Sequence, residues 1–290
     1  VDATTIDSDP IAVLPAGALL IGQLDARALF ATALGGHVAR IATNVVPLGQ
    51  ESNFVPSRDV HRIFGATYAM QGADFCAVVQ GTFDEAAIGR AAQARVKTPA
   101  GVPLIATAYG DNTLYTAANV GFVVLTPQTL LSGNETCMRR ALDRLRRGRI
   151  ERSLAPWMHE LFDNEKADFV MVGDLTGQVV VEATASSFPF LGGLRLVRVL
   201  GNFREPGANV VGSLTYRDSQ AAGVGAQTIN QLQQVAAFAS LLSMLGLAPT
   251  IPPITVAQQG NDIAFAVAID TRSAVMLLEL LVQVSQPSMR

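Results

Sequence analysis

The stretch RDVHRIFGATYAMQGADFCAVVQGTFDEAAIGRAA, Arg58 to Ala92, decides the fold. Val60 to Met70 is rich in β-branched and aromatic residues, and Gly72 follows as a turn residue. From Ala73 to Phe83 the pattern alternates. Phe75, Ala77, Val79 and Phe83 fall on one side of a strand, with Asp74, Cys76, Val78, Gln80 and Thr82 on the other. Val78 is the clearly apolar residue of that second side, so we expect the Phe75 side to pack on the core and the Cys76 side to be half covered. Asp84 then offers a helix cap, Glu85 suits the first turn, and Ala87, Ile88 and Ala91 form an apolar stripe. The unit reads as strand, tight turn, strand, helix.

A degenerate echo lies further on. LRLVRVLG at Leu194 to Gly201 resembles DVHRIFG at Asp59 to Gly65, and GANVVGSLTY at Gly207 to Tyr216 resembles GADFCAVVQGTF at Gly72 to Phe83. ALLIGQLD at Ala18 to Asp25 resembles FVMVGDLT at Phe169 to Thr176. The three matches keep their order, which predicts a tandem duplication. The expected fold class is α+β: antiparallel sheets with helices packed on one face, one α+β unit repeated. Expected boundaries are a flexible N-terminal tether at 1–12, a first unit at 13–148 and a second, related unit at 149–290.

Around the central unit, turn chemistry places the other elements. Val13 to Leu24 reads as the first strand, and Asp25 as the cap of a helix running toward Ile41. Gly110-Asp111-Asn112 and Gly260-Asn261 each read as the turn of a hairpin. A helix from Gly133 to Arg147 ends at Gly148, and another carries Pro156 in its first turn with Ser153 as cap. A strand is expected at Val179 to Ala185 and a final helix from Ser273 to Val284.

Composition narrows the function classes. Net charge is −3 and aromatics are 6%, which argues against a nucleic-acid partner. Lysine occurs only at Lys97 and Lys166 against many arginines, a bias of high-GC bacterial coding. The opening VDATTIDSDP is short, polar and acidic, the kind of tether that follows a removed export signal or a lipid-modified N-terminus. We expect an exported protein, periplasmic or anchored to the membrane through that end. Cys76 on a strand and Cys137 on a helix could pair in an oxidising compartment, or stay as two buried thiols.

Ser219 to Asn261 carries no charged residue. Its apolar heart, Val235 to Ala248, is shorter than the roughly 20 residues of a membrane span, so a buried helix is expected. Val235, Phe238, Leu242 and Leu245 are candidates to line an apolar ligand site there. No nucleophile elbow, Walker loop, zincin pair or CxxC is present, and His37, His61 and His159 show no metal-ligand spacing. No cofactor and no metal is expected. Asp59, Asp84 and Asp174 read as caps or turn residues. The densest charge is arginine: residues 139, 140, 144, 146, 147, 149 and 152, with Met138, Ala141, Leu142 and Leu145 as the buried stripe of the same helix. Arg139, Arg140, Arg144 and Arg147 are the candidate contacts to an anionic membrane surface or an acidic protein partner.

RDVHRIFG, ADFCAVVQGTFDEAAI and YGDNTLYTAANVGFVVLTPQTLLSG together resemble uncharacterised exported proteins of high-GC bacteria, in which a strand reading VV.G.FD precedes a helix. The likeness covers Asp59 to Gly133 and implies no activity and no site residues. The expected function is that of a non-enzymatic, exported cell-envelope protein, an accessory or binding subunit of a larger assembly. The alternatives are a carrier of an apolar, lipid-like ligand and an enzyme of undetected class.

Overall fold

A computed structural model describes residues 1–45, 52–69, 74–94, 97, 101–117, 120–164, 166–178, 189–243 and 253–276, with backbone alone for 43–45 and 232–243. The chain divides into two compact units. One takes Val1–Ala31 and Val38–Asp163, the other Thr32–His37 and the described part of Asn164–Arg290. The expected boundary at 148 therefore falls one helix too early. In the first unit the chain runs α1 (Ala3–Ser8), β1 (Leu20–Asp25), α2 (Ala26–Phe30), α3 (Gly35–Val45) from Val38 onward, α4 (Pro56–Asp59), β2 (Val60–Thr67) and β3 (Phe75–Gly81). It continues through α5 (Glu85–Gln93), β4 (Ile105–Tyr109), β5 (Asn112–Ala117), β6 (Val120–Thr126), β7 (Thr129–Asn134), α6 (Glu135–Arg146) and α7 (Pro156–Phe162).

The first unit's strands form an antiparallel sheet in the order β1-β2-β3-β7-β6-β5-β4. Val78 of β3, Leu131 of β7 and Val123 of β6 stand opposite one another and are fully buried. Burial on this scale is worth about 1.5–3 kcal/mol for each such side chain. The core therefore reaches the Cys76 side of β3, which the alternation had marked as half covered. Helix α6 covers that side, because Cys137 in its first turn is bonded to Cys76. On the other face, Val79 packs against a cluster that joins Ile88 and Ala92 of α5 to Phe122, Val124 and Leu130. Helices thus lie on both faces of this sheet, not on one.

The N-terminal residues are not a flexible tether. Asp2 caps α1 by accepting from the Thr5 N–H at 2.8 Å, and a 3-10 turn follows at Pro10–Val13. Ile6, Ile11, Val13 and Leu14 are buried. The Asp7 carboxylate accepts from the hydroxyls of Thr126 and Thr129, each at 2.6 Å, and both threonines are buried. Four apolar side chains and one acceptor dock a segment whose polar letters suggested none of this. The docking also shortens the first strand, which begins at Leu20 instead of Val13. Local turn chemistry is otherwise as expected. Asp25 and Asp84 cap α2 and α5 through Ala28 N–H and Ala87 N–H at 2.9 Å. Gly110 adopts φ +61° in the β4–β5 turn, and Gly148 adopts φ +69° just beyond α6. Helix α7 starts with Pro156, but its cap residue is Ala155 and not Ser153.

The second unit contains β8 (Phe169–Asp174), β9 (Leu194–Asn202), β10 (Gly207–Tyr216), α8 (Ser219–Ser243), β11 (Ile254–Gln259) and β12 (Asp262–Asp270). Its antiparallel strand order is β8-β9-β10-β12-β11. Tyr216 is buried, donates to the Phe190 carbonyl at 2.6 Å, and burial pushes its phenol up to about 12. Gly225 of α8 sits so close to Tyr216 that a side chain there would collide with the phenol, and it would also press on Ile263. Among the described residues, no helix is long and apolar enough to cross a membrane. The strand expected at Val179 to Ala185 lies outside the described residues, as does most of the final helix.

Candidate functional site

The arginine-rich helix is built as expected on its inner side: Cys137, Met138, Ala141, Leu142 and Leu145 are buried. Its outer side is not a field of bare charge. Arg139 pairs with Glu135 at 2.5 Å and lies over the Tyr109 ring at 4.8 Å. Arg146 covers the same ring at 4.6 Å, while the Tyr109 hydroxyl donates to Asp143 at 3.1 Å. Arg140 reaches both oxygens of Asp74, at 3.1 and 3.2 Å, and lies over Tyr68 at 4.5 Å. Arg144 donates to the carbonyls of Leu14 and Glu151. Arg152 binds Asp9 at 2.9 Å and Asp163 at 3.4 Å. These are guanidiniums stacked on tyrosine, paired with acids or, for Arg144, bonded to carbonyls, an arrangement that fastens the β4–β5 hairpin and the N-terminal segment to α6. Of the expected contacts, Arg147 alone is exposed with no side-chain partner among the described residues, and Arg149 beside it is alike. The expectation of a contact surface rested on seven bare charges, and five of the seven are engaged by carboxylates, tyrosine rings or backbone carbonyls.

Cys76 and Cys137 form a disulfide with Cα atoms 5.8 Å apart, and both residues are buried. Of the apolar lining, Val235, Phe238 and Leu242 lie on the α8 backbone without described side chains, and Leu245 lies outside the described residues. Asp174 accepts from the Thr176 N–H in a turn. Asp59 accepts from Val55 N–H at 2.7 Å and pairs with Arg58 at 2.6 Å. Burial pushes the Asp59 carboxyl up, but the Arg58 and Val55 hydrogen bonds and the charges of Arg58 and His61 outweigh it and hold it below the usual range. Among the described residues, no group of three or more His, Cys, Asp or Glu could hold a metal ion.

A site that the sequence did not single out lies at one end of the first unit's sheet. Asp25, Arg27, His61, Arg62, Gln80, Gly81 and Gln128 line an open polar cleft of about 290 Å³. Asp25 of β1, Arg62 of β2 and Gln80 of β3 are direct cross-strand neighbours, so they project from one face. The β2–β3 register shifts between Val60 and Arg62, which makes His61 a bulge residue. In an unbroken strand His61 and Arg62 would point to opposite faces; here both border the cleft. Burial lowers the His61 imidazole, Arg27 lowers it further, and Asp59 partly opposes them. The Gln80 amide donates to the Asp7 carbonyl at 2.8 Å, which ties the cleft floor to α1. One signal was available: two adjacent polar residues, His61 and Arg62, inside an otherwise apolar strand.

No protein-family profile matches the chain, and no curated protein matches it. Solved structures of TP0453 do. Crystal form I aligns with a TM-score of 0.57 at 13% identity over 94% of this chain and 97% of that one. Crystal form III gives 0.58 at 11% identity, covering 93% and 97%. Crystal form IV gives 0.55 at 11% identity, covering 93% and 96%. At such identities the likeness shows a shared fold and nothing further.

Proposed function

We propose that this chain is an exported, disulfide-stapled protein of a bacterial cell envelope that acts by binding and not by catalysis. The observation that carries the reading is the Cys76–Cys137 bond. It joins the centre of a sheet to the helix that covers it, with both sulfurs buried. Such bonds persist in oxidising compartments and are rare where thiols are kept reduced. Asp59 and Tyr68, two of the groups with displaced titration, are each engaged in structure, which supports the second half of the reading. The test is thiol alkylation, under denaturing conditions without reductant, of protein recovered from fractionated source cells. The reading expects both cysteines unlabelled and the protein in the envelope or periplasmic fraction. Two labelled thiols in a cytosolic fraction would overturn it.

The two units are, in this reading, copies of one ancestral unit. Strand order supports it, β1-β2-β3-β7-β6 in one and β8-β9-β10-β12-β11 in the other, leaving β5 and β4 as an added hairpin. A helix follows the third strand in each, and its face supports the reading too. Val79, which packs in the α5 cluster, corresponds to Leu214, whose cross-strand partner Ile263 contacts α8. An experimental structure with α5 and α8 on non-equivalent sheet faces would refute common descent.

A further inference from the structure

We propose that the cleft between β1, β2 and the β6–β7 turn binds a small oxyanion of the phosphate type, held by Arg27 and Arg62 with His61 as a third donor. The proposal does not depend on the compartment or on the duplication.

Three observations converge on it. Neither the Arg27 nor the Arg62 guanidinium has a hydrogen-bond or ion-pair partner among the described residues, whereas those of five arginines around α6 do. Both are exposed on the cleft wall, and guanidiniums in that setting offer paired N–H donors suited to carboxylate and phosphate oxygens. The bulge turns His61 to the same cleft as its neighbour Arg62, against the alternation of the strand. Bulges recur beside binding sites because they re-aim a side chain in this way. The third observation is size. A cleft of about 290 Å³ sits at the small end of ligand sites and admits a single phosphoryl group with little attached.

Asp25 sets the form of the anion. One of its oxygens accepts from the Ala28 N–H, and the other has no described partner. A carboxylate facing a bound oxyanion is tolerated when that oxyanion brings a proton to share. Hydrogen phosphate and the monoanion of a phosphate monoester have one; sulfate at neutral pH does not. The charged groups around His61 are Arg27, Arg62, Asp25 and Asp59. The bound anion offsets the Arg27 charge that disfavours the imidazolium, so binding raises the His61 pKa and tightens as pH falls through the imidazole range.

The experiment follows the His61 ring resonances by NMR in the full chain, titrating inorganic phosphate and, separately, sulfate. A saturable shift with phosphate is expected, together with a raised His61 pKa and weaker binding of sulfate. Arg27→Ala and Arg62→Ala should each weaken phosphate about tenfold or more. Arg62→Lys should fall between wild type and Arg62→Ala, and Arg147→Glu, outside the cleft, should leave the affinity unchanged. A parallel arm compares wild type and Arg27→Ala/Arg62→Ala on phosphatidic acid vesicles. Binding that depends on these arginines identifies a lipid headgroup phosphate; its absence alongside phosphate binding identifies a soluble ligand. Unmoved His61 resonances in phosphate with no wild-type advantage on vesicles would overturn the proposal, as would equal phosphate affinity in the double variant. Sulfate binding as tight as phosphate would overturn the role of Asp25.

Discussion

Removing the disulfide gives the most direct test of how the first unit is held together. The bond closes a loop with a sequence separation of 61 residues. In the chain-entropy treatment, opening such a loop in the unfolded state costs the fold about 4 kcal/mol. Replacing both cysteines by alanine, in Cys76→Ala/Cys137→Ala, adds a small packing loss because both sites are buried. Trp157 is the sole tryptophan and lies in the first unit, so its fluorescence reports that unit's unfolding alone. With an m-value near the middle of the usual range, the urea midpoint should fall by about 2 M in the double variant. Reduced wild type should show a similar fall. Circular dichroism, which sees both units, should change less in its later transition. Coincident tryptophan midpoints for oxidised and reduced wild type would refute the argument that this bond constrains the core.

Asp7→Ala removes the shared acceptor of Thr126 and Thr129 and should cost about 2–4 kcal/mol, read as a lower urea midpoint by Trp157 fluorescence. Arg140→Ala loses the Asp74 pair and the Tyr68 stack and should cost about 1–2 kcal/mol, while Arg147→Ala should stay within about 0.5 kcal/mol in the same assay. His61 is depressed in the fold, so the neutral ring is favoured there. Its contribution to stability is present above the unfolded pKa near 6.5 and lost as pH falls below it, which urea midpoints across that range should show. Arg27→Ala should raise the His61 pKa in the absence of any anion, seen by NMR titration, because the Arg27 charge is one of the causes of its depression.

Features that depend on neighbours in sequence were legible. The turns at Gly110 and Gly260 need positive φ and carry glycine, and the caps at Asp25 and Asp84 need only the next three residues. Features set by distant partners were not. Alternation along β3 gave the right period and the wrong emphasis, since the Cys76 side is closed by a helix that arrives 61 residues later. The N-terminal segment looked like a tether because Thr126 and Thr129, which bind Asp7, lie more than a hundred residues away.

The same distinction separates charge density from available charge. The sequence concentrates arginine around α6, and a linear reading finds few acids among them. Folding brings Asp74 to Arg140 across 66 residues and Asp9 to Arg152 across 143. The dense cluster is thereby largely neutralised into structure. Arg27, in α2, and Arg62, set in the sheet between the capping Asp25 and the amide of Gln80, are unremarkable in composition, yet among the described residues neither guanidinium has a partner. A bulge exists only through pairing, two residues set against one, so the adjacent polar pair in β2 marked the place but not that His61 and Arg62 border one cleft. Affinity for an anion requires unspent donors that converge on one point, and in the first unit those conditions meet at the cleft, not along the helix where arginine is most abundant.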